Sequence, residues 1–422
     1  MGPVRPTHMA LDVLLISPSF PTDNGHFTKA LHALPGVRIL GVGDQPAAAM
    51  EQGVRDAIDA LHVVPDLWDE EATVESTRAW LGSLGVSKLD RIECLWEPGV
   101  VLAARMREAF GVPGLRVEQA RAFRDKELMK SRLDAAGIRT PHHYRARTAA
   151  EVESAIERIG YPVIVKPIDG AGSADTHIIR SADEVEDVLA AVQHVPEVSV
   201  EEFIEGDEFT YDAILAGGET LFENVAWYRP KPLVARQNPW ISPQAVCLSD
   251  LRRPDIARGV DLGRRALEAL GLETGMAHME WFRSSKTGEA IFGEVGARAP
   301  GGRLSHGMNY ACDGDVFRLW AEAITAGRTE QSMEKRFNAA LVFKRAVGPG
   351  STITAIEGLD RILAEHGEHI PVVDLVPVGQ RRKDWTQTVT GDGWIVARHM
   401  DLQETLSLAD RLASDVKLES AR

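Results

Sequence analysis

A chain of 422 residues is longer than one ordinary hydrophobic core supports, so two to four domains or lobes are expected. Hydrophobic content of 44% and charged content of 26% are those of a globular protein, and a net charge of −15 argues against a nucleic-acid binder, which needs a basic footprint over phosphates. Cys94, Cys247 and Cys312 are widely spaced and form no CxxC pattern, so they read as reduced thiols. No apolar run approaches the roughly 20 residues that span a bilayer, and a cytoplasmic protein without a membrane partner is expected.

Val13 to Ile16 read as a buried first strand rather than part of a signal peptide, because Asp12 interrupts the apolar patch. Further strands are expected over 37–42, 61–64 and 91–96, with helices around 25–33, 47–60, 72–84 and 99–110. That alternation is the signature of a parallel sheet covered by helices on both faces. No GxGxxG follows the first strand and no GxxxxGK[ST] occurs, so neither a dinucleotide fingerprint nor a P-loop is present.

A second unit begins near Arg124. A helix starting at Asp125 stops at Gly137, with Pro141 just beyond. A helix over 149–159, a buried strand at 163–166, a glycine loop over 168–176, a strand at 177–180 and a helix over 181–193 follow. The strand 198–204 leads into a hairpin-like meander, giving an α+β pattern. The stretch from Trp227 to Asp250 is rich in Pro, Trp and Arg with weak periodicity and reads as a long functional loop or lid. Helices over 254–270 and 313–326 flank a hairpin, and the tail from Ala339 reads as a closing lobe of short strands and small helices.

The hairpin, GMAHMEWFRSSKTGEAIFGEVGARAPGG over 275–302, carries the chemistry. Met276, His278, Glu280 and Phe282 share one face of its first strand; Ala290, Phe292 and Glu294 are expected to share one face of the second, with Lys286-Thr287-Gly288 at the turn. Folding about Thr287 sets Glu280 opposite Glu294, with Cβ atoms roughly 5 Å apart, where like charges destabilise. Two carboxylates held that way call for a cation, and oxygen ligands favour Mg²⁺ or Mn²⁺. Arg298 stands at the mouth of a glycine-rich turn, where it can meet developing negative charge. Taken singly, these residues also fit blander roles: a solvated hairpin edge, a plain turn at GAGS, and a solvated acidic face over 201–208.

In order, Lys126, Lys166 with its glycine loop, the run Glu201 to Glu208, Glu280, Glu294 and Arg298 resemble the ATP-grasp superfamily over roughly Glu97 to Ala326. The resemblance implies an α/β and α+β multidomain protein with the ATP-grasp fold. Its expected parts are a Rossmann-like parallel-sheet domain over 1–123, a central lid lobe over 124–200, an antiparallel-sheet lobe with the metal site over 201–335 and a closing subdomain over 336–422. It implies ATP and Mg²⁺ (or Mn²⁺). By that match Lys126 and Lys166 meet the polyphosphate, and the loop with Gly170, Gly172 and Ser173 closes over the β- and γ-phosphates. Glu201, Phe203 and Ile204 line the adenine pocket, Glu208 takes the ribose, and Glu280 and Glu294 hold metal.

Gly296 stands where the superfamily's metal motif usually carries Asn, which removes one ligand. The Glu-x-Gly-x-Arg-x-x-Gly-Gly form is similar to the L-amino acid ligase and carnosine synthase branch. There the arginine matching Arg298 holds the substrate carboxylate and its acyl phosphate, Gly301 and Gly302 offer N–H donors, and Glu97 lies near the substrate amino group. Lys166 and Arg298 are the expected catalytic cations; His278 is a further catalytic candidate, with a packed strand histidine as the alternative. Trp227, Tyr228, Arg229, Lys231, Arg236 and Trp240 are expected in a lid, and Lys344 and Arg345 as added phosphate contacts. The implied reaction joins a carboxylate to an amine, both small molecules such as amino acids or small peptides. Phosphoribosyl-amine or biotin-carboxylase chemistry and a non-catalytic nucleotide binder are the alternatives. Superfamily members are often dimers, so a homodimer is the assembly the resemblance implies.

Overall fold

A computed structural model describes residues 11–168, 175–385, 388 and 390–421, so Gly170, Gly172 and Ser173 of the glycine loop lie outside the described residues. Strands Leu11–Ile16, Val37–Gly43, Ala60–Val63 and Arg91–Glu93 form a parallel sheet in the order third, second, first, fourth. Helices Asn24–His32, Glu70–Ser83 and Val100–Phe110 accompany it. The helix expected over 47–60 is two isolated turns, Ala47–Ala49 and Gln52–Arg55, split where Met50 turns extended; Gly53 further weakens the helical preference there.

A small antiparallel sheet follows, in the order His143–Ala146, Val198–Glu202, Val163–Pro167, His177–Ile179. Its strand Val198–Glu202 straddles the boundary expected at 200. The helix Lys126–Ala135 starts where the Asp125 carboxylate accepts the backbone N–H groups of Glu127 and Leu128.

The third sheet is large and antiparallel. From the edge it runs Ala290–Gly296, Gly275–Ser284, Gly206–Ala216, Ala226–Arg229, Gln244–Cys247, Asn338–Phe343, Gly393–His399 and Val372–Leu375, with Glu219–Asn224 also paired to Gly206–Ala216. The stretch 227–250 is therefore not a loop but two sheet strands around the helix Pro232–Gln237. Its Ala226, Ala245, Val246 and Cys247 are buried, a core contribution that the Pro-, Trp- and Arg-rich composition hides. The tail likewise adds three strands to this sheet. A helix not expected from sequence, Leu304–Cys312, follows the glycine-rich turn. Among the described residues no helix is long and apolar enough to cross a membrane.

The helix Pro254–Leu270 fixes which sheet face becomes the core. Gly259 and Gly263, one turn apart, lie against the rings of Trp281 and Tyr211; a Cβ at either would sit 2.1 or 2.2 Å from a ring carbon. Ala277, Met279 and Trp281 join that apolar core. Successive strand residues point to opposite faces, so His278, Glu280 and Phe282 are turned the other way.

One residue then decides where the second glutamate points. Met279 pairs with Val295 and Glu280 with Glu294, but Trp281 pairs with Phe292, leaving Gly293 as the extra residue of a β-bulge. Near the turn the pairing is Phe282 with Ile291 and Arg283 with Ala290. Without the bulge that register would set Gly293, not Glu294, opposite Glu280. Phe292 shares the core face with Val295, so the expectation that Ala290, Phe292 and Glu294 share one face is corrected. A Cβ at Gly293 would lie 2.7 Å from the carbonyl oxygen of Glu280. Gly293→Val is expected to lower stability by about 1–3 kcal/mol through this overpacking, measured by urea unfolding; an unchanged midpoint would show that the bulge tolerates a side chain.

Candidate active site

Between the small antiparallel sheet and the large one lies a cavity of about 110 Å³. Lys126, Lys166, Glu201, Glu208, Glu280 and Glu294 all line it, and Phe203, Ile204, Phe282 and Ile164 supply apolar wall. A smaller cavity adjoins it, shares Lys126, Glu280 and Glu294, and adds Glu97, His278, Gly296 and Arg298. The structure thus gathers the sequence-derived candidates around one pair of glutamates. Gly301 and Gly302 stand apart from both cavities, just before the helix Leu304–Cys312, with Gly302 at φ +62°.

The two facing carboxylates differ in their surroundings. Glu294 Oε2 lies 3.5 Å from Lys126 Nζ and 3.9 Å from Lys166 Nζ. Burial works against its charge, but the two ammonium groups outweigh it and hold Glu294 below the usual carboxylate range. Glu280 is pushed upward by burial and by the charges of Glu294 and Glu208. Its ion-pair neighbour is His278, whose Nε2 lies 3.8 Å from Oε1. Burial pushes Glu208 upward as well, against the pull of Lys231.

Lys130 is a site residue the sequence reading missed. It lies one helical turn after Lys126, is fully buried, and pairs with Glu201. Lys166 Nζ reaches the other Glu201 oxygen at 3.0 Å. Burial opposes the Glu201 charge, yet the two lysines hold its carboxyl far below the ordinary range. Burial likewise opposes the Lys166 charge, and Glu201 and Glu294 more than restore it. The carboxylate of Glu201 is thereby a fixed counter-ion that orients Lys166. The only signal for Lys130 in the sequence was its four-residue spacing from Lys126, which places both on one helix face.

His278 is held from behind. Its Nδ1 lies 2.6 Å from Oδ1 of the fully buried Asp212. The other oxygen of Asp212 accepts from Thr210 Oγ1 at 2.8 Å and Asn224 Nδ2 at 3.0 Å, and Asn224 accepts from Lys335 Nζ at 2.7 Å. With Nδ1 turned to Asp212, Nε2 is the ring nitrogen that faces Glu280. His278 is thus packed and also aimed into the site. Asp212, in the middle of the strand Gly206–Ala216, had no motif to mark it.

Glu97 receives two guanidinium groups. Arg298 Nε and Nη2 lie 2.9 and 2.8 Å from Oε2, and Arg124 Nη1 lies 2.5 Å from Oε1. Arg298 also donates from Nη1 to the Ala299 carbonyl at 2.9 Å. This clamp ties the parallel-sheet domain to the hairpin turn and pre-aims Arg298, and Arg124 was absent from the sequence-derived candidates.

The expected lid residues scatter. Lys231 lines the cavity, donates to the Ile204 carbonyl at 3.1 Å and lies 5.3 and 5.6 Å over the Phe203 and Phe282 rings. Tyr228 is half-buried, and its hydroxyl is pushed far up, first by desolvation and then by the charges of Glu280 and Asp212. Trp227 stacks on Phe209 in the core, Arg229 pairs with Asp410, and Trp240 is 70% exposed. Lys344 and Arg345 are corrected outright. Lys344 Nζ donates to the Leu412 and Ala413 carbonyls near the end of the helix Leu402–Asp415, and Arg345 Nη1 donates to Ala235 O. They satisfy helix carbonyls rather than face the cavity.

A family model described as an ATP-grasp domain matches residues 123–225. Over 98% of its length the chain superposes on the crystal structure of L-amino acid ligase from Bacillus licheniformis, with a TM-score of 0.76, 20% identity and 99% of that chain covered. This chain has the ATP-grasp fold. It is 29% identical over 257 residues to an L-arginine-specific L-amino acid ligase of Bacillus subtilis, covering 58% of this chain and 60% of that protein. It is also 25% identical over 299 residues to an alanine–anticapsin ligase of Bacillus subtilis, covering 65% and 61%. The chain therefore spans about three fifths of the length of these two curated relatives. On this ATP-grasp scaffold, the two adjoining cavities share Lys126, Glu280 and Glu294.

Glu201→Gln leaves Lys130 and Lys166 without their buried counter-charge and is expected to cost about 3–5 kcal/mol in urea unfolding. Because the folded-state pKa is depressed, this contribution is complete above the ordinary glutamate range and is lost only as pH falls through the depressed value. Glu280→Gln removes a destabilising buried charge and is expected to raise the unfolding midpoint of the metal-free protein. A Glu201→Gln variant as stable as the parent, or a Glu280→Gln variant with a lowered midpoint, would contradict the electrostatics described for the cleft.

Proposed function

We propose that this chain is an ATP-dependent carbon–nitrogen ligase that joins two amino acids, or an amino acid and a small peptide, and releases ADP and phosphate. One observation supports it above the others: Glu280 and Glu294 face each other at the junction of a lysine-lined cavity and an arginine-lined one. The similarity to amino-acid ligases points the same way.

The residues fit a divalent cation. Two carboxylate groups converge, and Glu280 is driven toward its neutral form by burial and then by Glu294, so a positive charge between them relieves the repulsion. Glu280 and Glu294 would hold Mg²⁺ or Mn²⁺, whose contribution is to neutralise and orient the triphosphate. Lys126 and Lys166 supply point charges for phosphate oxygens, with Glu201 locking the second in place. Phe203, Ile204 and Glu208 line the cavity; the first two would give the base an apolar slot and Glu208 would take the ribose.

On the other side of the glutamate pair, Arg298 receives the donor carboxylate. A carboxylate oxygen attacks the γ-phosphorus, ADP leaves, and an acyl phosphate forms. The acceptor amine then attacks the acyl carbon, the amide bond forms, and phosphate leaves with the bonding pair. The amine proton passes to Nε2 of His278, the ring nitrogen turned toward the site while Asp212 holds Nδ1. Glu97 shares Arg298 with the incoming carboxylate and attracts the acceptor's ammonium group before it is deprotonated. Phosphoryl transfer of this kind needs positioning and charge neutralisation more than covalent help, which matches cavities that, among the described residues, are lined by charged groups and by no Ser or Cys. A cytoplasmic homodimer acting on small molecules extends the same reading.

The test is to incubate the protein with Mg²⁺, ATP and pairs of amino acids and to follow ADP and amide products by mass spectrometry. ADP formation that requires a carboxylate and an amine together is expected; ATP hydrolysis indifferent to both would contradict the assignment. Glu294→Gln should abolish turnover while the protein stays folded. Arg298→Ala should lose kcat far more than ATP affinity, and equal losses in the two would remove Arg298 from the acyl-transfer step.

A further inference from the structure

A second group of ligating side chains lies outside the cleft. Asp23, His26 and His306 present one carboxylate oxygen and two imidazole nitrogens that all lie within 4.8 Å of one another. Asp23 and His26 are three residues apart at the start of the helix Asn24–His32, so they face the same way. His306 is the third residue of the helix Leu304–Cys312, beyond the Arg298–Gly302 turn. The group therefore bridges the parallel-sheet domain and the helix that carries the glycine-rich turn.

Two features are unusual for structural side chains. The Nε2 atom of His306 is sealed from solvent and has no hydrogen-bond partner, which leaves a buried polar atom unsatisfied. Asp23 occupies the N-cap position of its helix, yet its carboxylate accepts none of the helix N–H groups. Its Oδ1 accepts instead from Arg303 Nη1 at 2.5 Å. The His26 and His306 rings stand edge to face, centroids 4.7 Å apart, with Phe317 packed on both. Burial, together with the other imidazole, keeps His306 in its neutral, ligating form, and burial and Lys29 do the same for His26. The surrounding charges are mixed: Lys29 and Arg303 are cationic, Glu51 and Asp374 anionic, and Lys29 pairs with Glu51.

We propose that Asp23, His26 and His306 form a transition-metal site for Zn²⁺, separate from the Glu280–Glu294 pair and independent of the ligase reading. Two imidazoles and a carboxylate are a donor set that suits zinc, with water in the fourth position. Bonds of roughly 2.0–2.2 Å require the ligand atoms to draw together by on the order of 1 Å from their widest present spacing. Arg303 remains on Oδ1 as the hydrogen-bond partner that orients the carboxylate, while Oδ2 takes the metal. Magnesium is disfavoured there because it selects oxygen ligands. The bound ion pins the helix after the Arg298 turn to the parallel-sheet domain.

The test uses the full chain, stripped with a chelator and titrated with Zn²⁺ while Mg²⁺ and ATP saturate the cleft. One zinc per chain and a raised Tm are expected. His26→Gln and His306→Gln should each weaken zinc binding by about tenfold or more while keeping the rise in Tm on adding Mg²⁺ and ATP. Absence of stoichiometric zinc, or a zinc affinity in both variants unchanged from that of the unmodified chain, overturns the proposal. If a variant loses the nucleotide response, Co²⁺ bound to the unmodified chain decides: four-coordinate visible absorption supports the site, and a six-coordinate, water-like spectrum overturns it.

Discussion

Two like charges are made to face each other in a place where water cannot fully screen them. Glu280 and Glu294 are set opposite across the hairpin, and the repulsion is shared unequally. Lys126 and Lys166 lean on Glu294, which leaves Glu280 as the member driven toward its neutral form. A fold selected for stability alone would not keep this arrangement, since a neutral partner at either position relieves the strain. Conflicts between local stability and sequence are expected where a protein binds something of opposite charge.

The rest of the scaffold serves that placement. Gly259 and Gly263 let a helix backbone lie flat on Trp281 and Tyr211, which assigns one face of the sheet to the core and the other to the cleft. Gly293 then slips the pairing by one residue so that Glu294 emerges on the cleft side. Behind the site, Lys130–Glu201–Lys166 and Asp212–His278 are buried charge chains that fix a reactive group by its far end. Arg298 is fixed in the same manner through Glu97, which Arg124 also holds. Each reactive side chain is thus held by an oppositely charged or hydrogen-bonded neighbour that does not itself project into the larger cavity, Glu201 excepted.

Much of this was legible in the sequence, for identifiable reasons. The first four strands, the helix over 254–270 and the hairpin carry clean periodicity, and their expected positions match the structure closely. The Glu280–Glu294 pairing came from counting about Thr287, and the pair is indeed opposed. The count succeeded only because the bulge at Gly293 offsets a turn centred half a residue earlier, and a single glycine gives no register signal. The strands within 226–247 were hidden because Trp, Pro and Arg mask a short alternating pattern. Lys130 was missed and Lys344 was expected at phosphate, since sequence does not show which lysines a tertiary fold encloses or what it turns them toward. Asp212 and Arg124 belong to no motif, and their roles exist only through partners far along the chain.

The most direct measurement is a crystal structure of the chain with Mn²⁺ and a non-hydrolysable ATP analogue, read by the anomalous signal of manganese. A peak between the carboxylates of Glu280 and Glu294, with the triphosphate against Lys126 and Lys166, is the expected result. Manganese bound elsewhere, or a triphosphate lodged away from those lysines, would contradict the account.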